Sequence, residues 1–287
     1  MKKLSIISKM RTLRWNKIYI LYSIFYGLSS LVLPLGIQFL VNNLALSGIW
    51  LNTVSFLILI GAGLVISQII RHSQVILIEF LQREIFIQEM LKWKKFNNKE
   101  YSHYYFEVLN VLKAFSKSYT SLIEMTLVMA FGIATIIIFH PSFIILAIII
   151  GFTVYQIYKS SENAIKNSIL ESNEKYHIYN EVVLGKGVSD ESIDQYLGAR
   201  DGHFSFTRRN SFKISLLTIF IQVILLGMGC YLIIKNQLSV GQLVSAELII
   251  SGIFVSLVKL PQTLESVYDY ETSQYKIAGA MKGHHHE

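Results

Sequence analysis

The chain has 287 residues, of which 52% are hydrophobic and only 16% charged, with a formal net charge of +7. A soluble globular domain carries nearer a quarter charged residues, so this composition argues against one and for a surface that faces lipid. The basic balance does not point to nucleic acid: the Lys and Arg flank apolar runs, where they suit anionic headgroups, and no basic face with interleaved aromatics is visible.

A membrane helix needs about 20 mostly apolar residues. The chain starts with Lys2, Lys3, Lys9, Arg11, Arg14 and Lys17, and the first span is predicted over residues 18–41. That run is too long for the apolar core of a signal peptide and reads as a retained span. Asn42 and Asn43 open a short loop that ends at Trp50. The second span, 51–70, passes without a break signal into an amphipathic stretch, 74–91, carrying Glu79, Arg83, Glu84 and Glu89. A helix leaving the bilayer for water has this pattern. Residues 92–117 are polar, basic and aromatic, and the third span follows at 121–139. His140-Pro141-Ser142 is a tight break, because proline ends one helix and suits the first turn of the next. The fourth span, 143–158, again continues into a polar helical region, 159–179, and a second polar stretch, 180–209. The fifth span is 212–234, a short turn covers 235–241, the sixth span is 242–258, and a mostly polar helical tail begins at Lys259.

The connections therefore alternate between short and long. The three short ones contain a single Lys or Arg, Lys235, whereas the N-terminal segment and both long connections are rich in them. The positive-inside rule then puts both termini and both long connections in the cytoplasm, and six crossings return the chain to its starting side. Spans this long and apolar are helices and not barrel strands. The expected fold is all-α: one domain over residues 1–287, a polytopic six-helix transmembrane bundle with two long cytoplasmic helical hairpins, about 71–117 and 159–211.

Few residues in the spans are polar. Glu124 and Glu247 fall in or near spans three and six, and a carboxylate in hydrocarbon usually faces a bundle interior or an aqueous path. Glu124, Glu247 and Gln222 are the candidates for lining such a path; Gln68, Gln156 and Gln222 also suit hydrogen bonds to neighbouring helices. Arg71 and His72 close the second span, where snorkelling to headgroups is expected. Cys230 is the only cysteine and lies in an apolar run, so no internal disulfide and no cysteine-based metal site can form. His284-His285-His286 could bind a metal ion but reads rather as a tag remnant or a disordered tail, and no other His/Asp/Glu cluster has metal-ligand spacing. No Ser-His-Asp or paired-carboxylate constellation stands out, so no catalytic, cofactor or metal residue is assigned. Gly185-Lys186-Gly187 lacks the hydroxyl and the spacing of a phosphate loop and reads as a turn.

The layout leads to a family. Six spans, cytoplasmic ends and long connections after spans two and four resemble the transmembrane domain of an ABC exporter. The stretch Leu238-Ser-Val-Gly-Gln-Leu-Val-Ser-Ala-Glu-Leu-Ile-Ile-Ser-Gly is similar to the turn and start of span six in exporters of the bacteriocin and type I secretion kind. Lys259-Leu-Pro-Gln-Thr-Leu-Glu-Ser-Val-Tyr-Asp-Tyr continues the likeness as a tail helix leading toward an ATPase domain. Leu238-Ser-Val-Gly-Gln242 also mimics the LSGGQ signature of ATP-binding cassettes, but it falls in a turn between spans, where ATP has no place.

The resemblance implies short coupling helices at the hairpin tips, near residues 96–105 and 183–193, docking on ATPase domains. The contacts carried over are Asn98, Lys99, Glu100 and Tyr101 on the first tip, and Lys186, Ser189, Asp190 and Glu191 on the second. The glycine usual after the first coupling helix is missing from Glu107-Val-Leu-Asn-Val-Leu-Lys-Ala. By the same resemblance the chain is half of a translocation pathway. It would pair with a second copy or a homologue in a bacterial inner membrane, beside membrane lipids. ATP and Mg would be bound by an attached or partner cassette and not by this chain. The rival expectations are an ion-gradient-driven secondary transporter, a class that often shows broken helices and midspan charges, and an accessory or scaffold subunit that transports nothing.

Overall fold

The computed structural model describes residues 13–46, 50–93, 104–183, 185 and 187–283. Among these, the regular structure is entirely helical: α1 (Asn16–Ser29), α2 (Val32–Leu46), α3 (Trp50–Trp93), α4 (Tyr104–Phe139), α5 (Ile144–Lys159), α6 (Ser161–Val183), α7 (Asp190–Ile234), α8 (Val240–Val258) and α9 (Leu260–Gly283), with a short 3-10 turn (Pro141–Phe143) between α4 and α5. Among the described residues, six segments are long and apolar enough to cross a membrane: Asn16–Asn43, Thr53–Gln88, Val111–Phe139, Pro141–Lys159, Asp190–Ile234 and Val240–Glu271. Each overlaps one of the six predicted runs, several extending well past it, and together they mark the chain as an integral membrane protein.

The helix breaks have local causes. The first span is not one helix: it divides at Ser30 and Leu31 into α1 and α2. Pro34 explains the division, since it lacks the N–H that would bond the Ser30 carbonyl and its ring crowds that carbonyl. Pro261 sits at the second position of α9 and separates it from α8 in the same way. At the α4–α5 corner His140 is extended, and its Nδ1 accepts from the Ser142 N–H at 3.2 Å. In the turn between α6 and α7, Gly185 (φ 67°) and Gly187 (φ 71°) take left-handed backbone conformations that a Cβ would disfavour.

Helix α3 has 44 residues and α7 has 45. At about 1.5 Å per residue each is about 65 Å long, roughly twice the hydrocarbon thickness of a bilayer. The first span and α3 run antiparallel in a continuous register: Trp15 stacks on Phe80 (5.0 Å between ring centroids), Gln74 Nε2 donates to Ser23 Oγ (3.0 Å), Ser29 Oγ donates to Ser67 Oγ (3.0 Å), and Phe39 meets Phe56 (4.0 Å). At the end of the bundle where these helices overrun the spans, α4 packs along α9, with Phe115 against Tyr270 at 5.7 Å. Leu77, Leu81 and Ile85 of α3, with Val111 and Phe115 of α4, belong to the buried core there. The Tyr119 hydroxyl donates to Asn16 Oδ1 beside them.

Helix α8 is the centre of the bundle. Half of the most apolar window of its span is buried, against no more than 22% in any other span. Ala246, Ile249, Ile250, Ile253, Phe254 and Leu257 form its buried face against α2, α4 and α7. The outer faces of the spans stay apolar and exposed, as at Ile58 (68%), Leu59 (70%) and Ile138 (80%). That arrangement is unfavourable in water and neutral in lipid, whose tails are as apolar as leucine.

Candidate functional site

Three polar groups interrupt this apolar architecture. The first joins α6 to α7. Glu171 on α6 is a buried carboxylate that accepts from Arg200 Nη1 through Oε1 at 2.6 Å and bonds His203 Nδ1 through Oε2. One helical turn away, Asn167 Nδ2 donates to the Gly202 carbonyl at 3.1 Å. Burial by itself would raise the Glu171 carboxyl; the bonds from Arg200 and His203 outweigh it and hold the group below the ordinary carboxylate value. Glu171 is therefore ionised near neutrality and only accepts, so His203 Nδ1 is the donor.

The tip of the same helix pair is a capped turn. Ser189 caps α7, its Oγ accepting from the Ser192 N–H at 3.1 Å, and Ser192 Oγ donates to Glu181 Oε1 at 2.8 Å. Asp190 and Glu191 occupy the first turn of α7, where their charges suit the helix dipole, and both are exposed. Among the described residues no separate short helix stands between α6 and α7. The described part of the segment near 183–193 is a turn that leads into α7, where Ser189 supplies a strong cap. Asn98, Lys99, Glu100, Tyr101 and Lys186 lie outside the described residues.

The second group lies within the spans. Gln222 of α7 donates from Nε2 to Glu247 Oε1 (3.1 Å) and Ser251 Oγ (3.4 Å) on α8. Glu247 Oε2 is buried and has no hydrogen-bond partner among the described residues. Two of the three residues read as candidates for a pathway are thus brought together, as one interhelical knot. The third, Glu124 on α4, stands apart from them beside Tyr26 of α1. The Tyr26 hydroxyl accepts from Arg71 Nη1 at 2.6 Å, and the guanidinium lies over the Tyr26 ring, 5.5 Å from its centroid. Arg71 is therefore tied to α1, although, like His72, Gln68 and Gln156, it is exposed.

The third group is the turn before α8. Ser239 and Gln242 form a reciprocal capping box: Ser239 Oγ accepts from the Gln242 N–H at 3.1 Å, and Gln242 Oε1 accepts from the Ser239 N–H at 2.8 Å. Gly241 between them donates its N–H to Asn42 Oδ1 at 3.2 Å. A Cβ at Gly241 would stand 2.5 Å from both Asn42 Oδ1 and the Gln38 carbonyl. The Ser-Val-Gly-Gln run is therefore explained by helix capping and a close approach to α2, without reference to ATP.

Sequence reading passed over Glu171, Arg200, His203 and Asn167, which lie in stretches taken as uniformly polar. The signal available was helical spacing: Arg200, His203, Thr207 and Asn210 recur every three or four residues, as one face of a helix requires. No group of three or more His, Cys, Asp or Glu that could hold a metal ion occurs among the described residues. No family model matches the chain, and no curated protein matches it.

Proposed function

We propose that this chain is the membrane-spanning half of an ATP-driven exporter of the ABC type. It forms one side of a translocation pathway and couples it to ATP-binding cassettes carried on the same polypeptide or on a partner. Both termini and the long helix extensions lie in the cytoplasm of a bacterial inner membrane, and a second copy or a homologue completes the pathway. ATP and Mg act in the cassettes; this chain supplies the path and the levers.

The observation that carries this reading is the α6–α7 pair. Helix α7 alone is twice as long as a bilayer requires, α6 packs alongside it, and the pair is tied by a buried carboxylate bonded to two partners. A rigid projection of this kind has to meet something beyond the membrane. Its tip presents Asp190 and Glu191 to solvent. Gln222 and Glu247 give the interior of the spans a polar locus where a translocated solute could exchange hydrogen bonds.

The test is to read the coding region flanking the chain for a cassette, co-express the two, and measure ATP hydrolysis in nanodiscs. The chain is expected to stimulate hydrolysis several-fold, and the double substitution Asp190→Ala/Glu191→Ala to reduce that stimulation. A flanking region with no cassette, or a cassette indifferent to the chain, would favour an accessory scaffold. Transport driven by a proton gradient without ATP would favour a secondary transporter.

A further inference from the structure

Helices α6, α7 and α9 pack pairwise around a common interior just before the apolar stretch of α7 begins at Phe212. Three polar side chains on one face of α7 are buried at this level. His203 is 3% exposed, Thr207 8% and Asn210 0%. Their positions follow the three- and four-residue spacing of one helix face, so they form a single file with a rise of about 10 Å from first to last. Four of their polar atoms have no hydrogen-bond partner among the described residues: His203 Nε2, Thr207 Oγ1, and both Nδ2 and Oδ1 of Asn210. Around them stand Glu171, which fixes the His203 ring through Nδ1, the Phe206–Tyr268 ring pair, edge to face at 6.0 Å, and the Asp269 carboxylate of α9, close enough to His203 for the two to interact electrostatically.

A buried amide with neither of its atoms bonded is strongly disfavoured, and four such atoms in one file more so. The flanking side chains on the same face, Phe206 and Ile214, offer no donors or acceptors. The two Asn210 atoms are of opposite character, one donor and one acceptor, and Thr207 Oγ1 is both. A ligand that serves the whole file must donate and accept at each step and must be small. Water meets these requirements; an ion of either sign meets only half of them.

We propose that the α6–α7–α9 junction is a buried hydration site, in which a file of bound waters bridges His203 Nε2, Thr207 Oγ1 and the Asn210 amide. The waters belong to the fold in the way that ordered internal waters do in other proteins, each with two or more polar partners. The inference does not depend on what the protein transports, or on whether it transports. It gives α7 a polar contact face toward α9 whose bonds are exchangeable, in contrast to the direct bonds that tie α7 to α6 through Glu171.

The test is X-ray radiolytic footprinting of the intact protein in nanodiscs, where bound water yields hydroxyl radicals that label the side chains beside it. Tyr268 (2% exposed) and Phe206 (4%) are expected to be labelled at rates approaching that of exposed Phe204 (50%), and several-fold above that of buried Phe143 (0%). Labelling of Tyr268 and Phe206 at the Phe143 rate would overturn the proposal. The substitutions Thr207→Val and Asn210→Leu keep shape and remove the polar atoms. With bound water lost, each is expected to lower the melting temperature, by about 5 °C for Asn210→Leu, and to reduce the labelling of Tyr268. A melting temperature that rises would mean that the site is dry, and would equally overturn it.

Discussion

Glu171 shows how much a single residue can decide. Its partners Arg200 and His203 lie 29 and 32 residues away, so no local motif announces the cluster. Its folded pKa lies below the unfolded value of about 4.3. The sign follows from linkage: the cluster contributes its full stability above the unfolded value and loses it as pH falls through the lower, folded value. The α6–α7 pair should therefore stay protected at mildly acidic pH and open only below the ordinary carboxylate range. The substitution Glu171→Gln should remove this acid dependence and weaken the pair by about 2 kcal/mol, since a neutral amide leaves Arg200 and His203 short of an acceptor. Hydrogen exchange of amides 167–175 and 196–206 as a function of pH measures both effects. Glu247 is the opposite case: its type and its place in an apolar run made it visible in sequence, but its partner was not, because Gln222 is one of several span glutamines and only the packing of α7 on α8 selects it.

Elements are bounded by chemistry that is largely local, and most of it is legible. Pro141 marks its corner in sequence. Pro34 lies in a run that otherwise reads as one span, and its effect on the backbone, separating α1 from α2, is weaker than the hydrophobic signal that overrides it in a sequence reading. The Ser239–Gln242 capping box is likewise written in four consecutive residues; its reason for containing glycine is not, because Asn42 and Gln38 come from the other end of the chain. Between elements, Gln222 links α7 to α8 through Glu247 and, at longer range, Ser251. The substitution Gln222→Leu should leave Glu247 without its donor and cost about 1–2 kcal/mol, while Glu247→Gln, which can still bond Gln222, should cost less than half of that. Thermal unfolding of the two variants in the same detergent distinguishes them. If Glu247 also serves the translocated solute, Glu247→Gln will lower transport while leaving stability nearly unchanged; unaltered transport would confine the residue to a structural part.

For the whole molecule, span number follows from composition and length, and arrangement from packing. The proposed orientation is open to a direct measurement. In a Cys230→Ser background, Ser142→Cys and Asn236→Cys should react with a membrane-impermeant maleimide added to intact cells, and Val188→Cys only after permeabilisation. The reverse pattern would invert the topology and remove the basis for cytoplasmic levers. By itself the sequence determined that the chain is helical, that it has six segments able to cross a bilayer, and where most of them end. Hydrophobic run length, proline and capping residues act within about 20 residues of chain, so each is readable in place. Only the tertiary structure decided that α8 is the centre, that α4 lies along α9, and that α6 is bonded to α7 through Glu171. It also decided that Gln222 belongs with Glu247, and that His203, Thr207 and Asn210 are buried on one face of α7. In a lipid-facing bundle every span is apolar all round, so hydrophobicity no longer distinguishes the inner face from the outer one. Neighbours are then chosen by the fit of side chains and by a few polar bonds between residues distant in sequence, and those exist only once the helices have met.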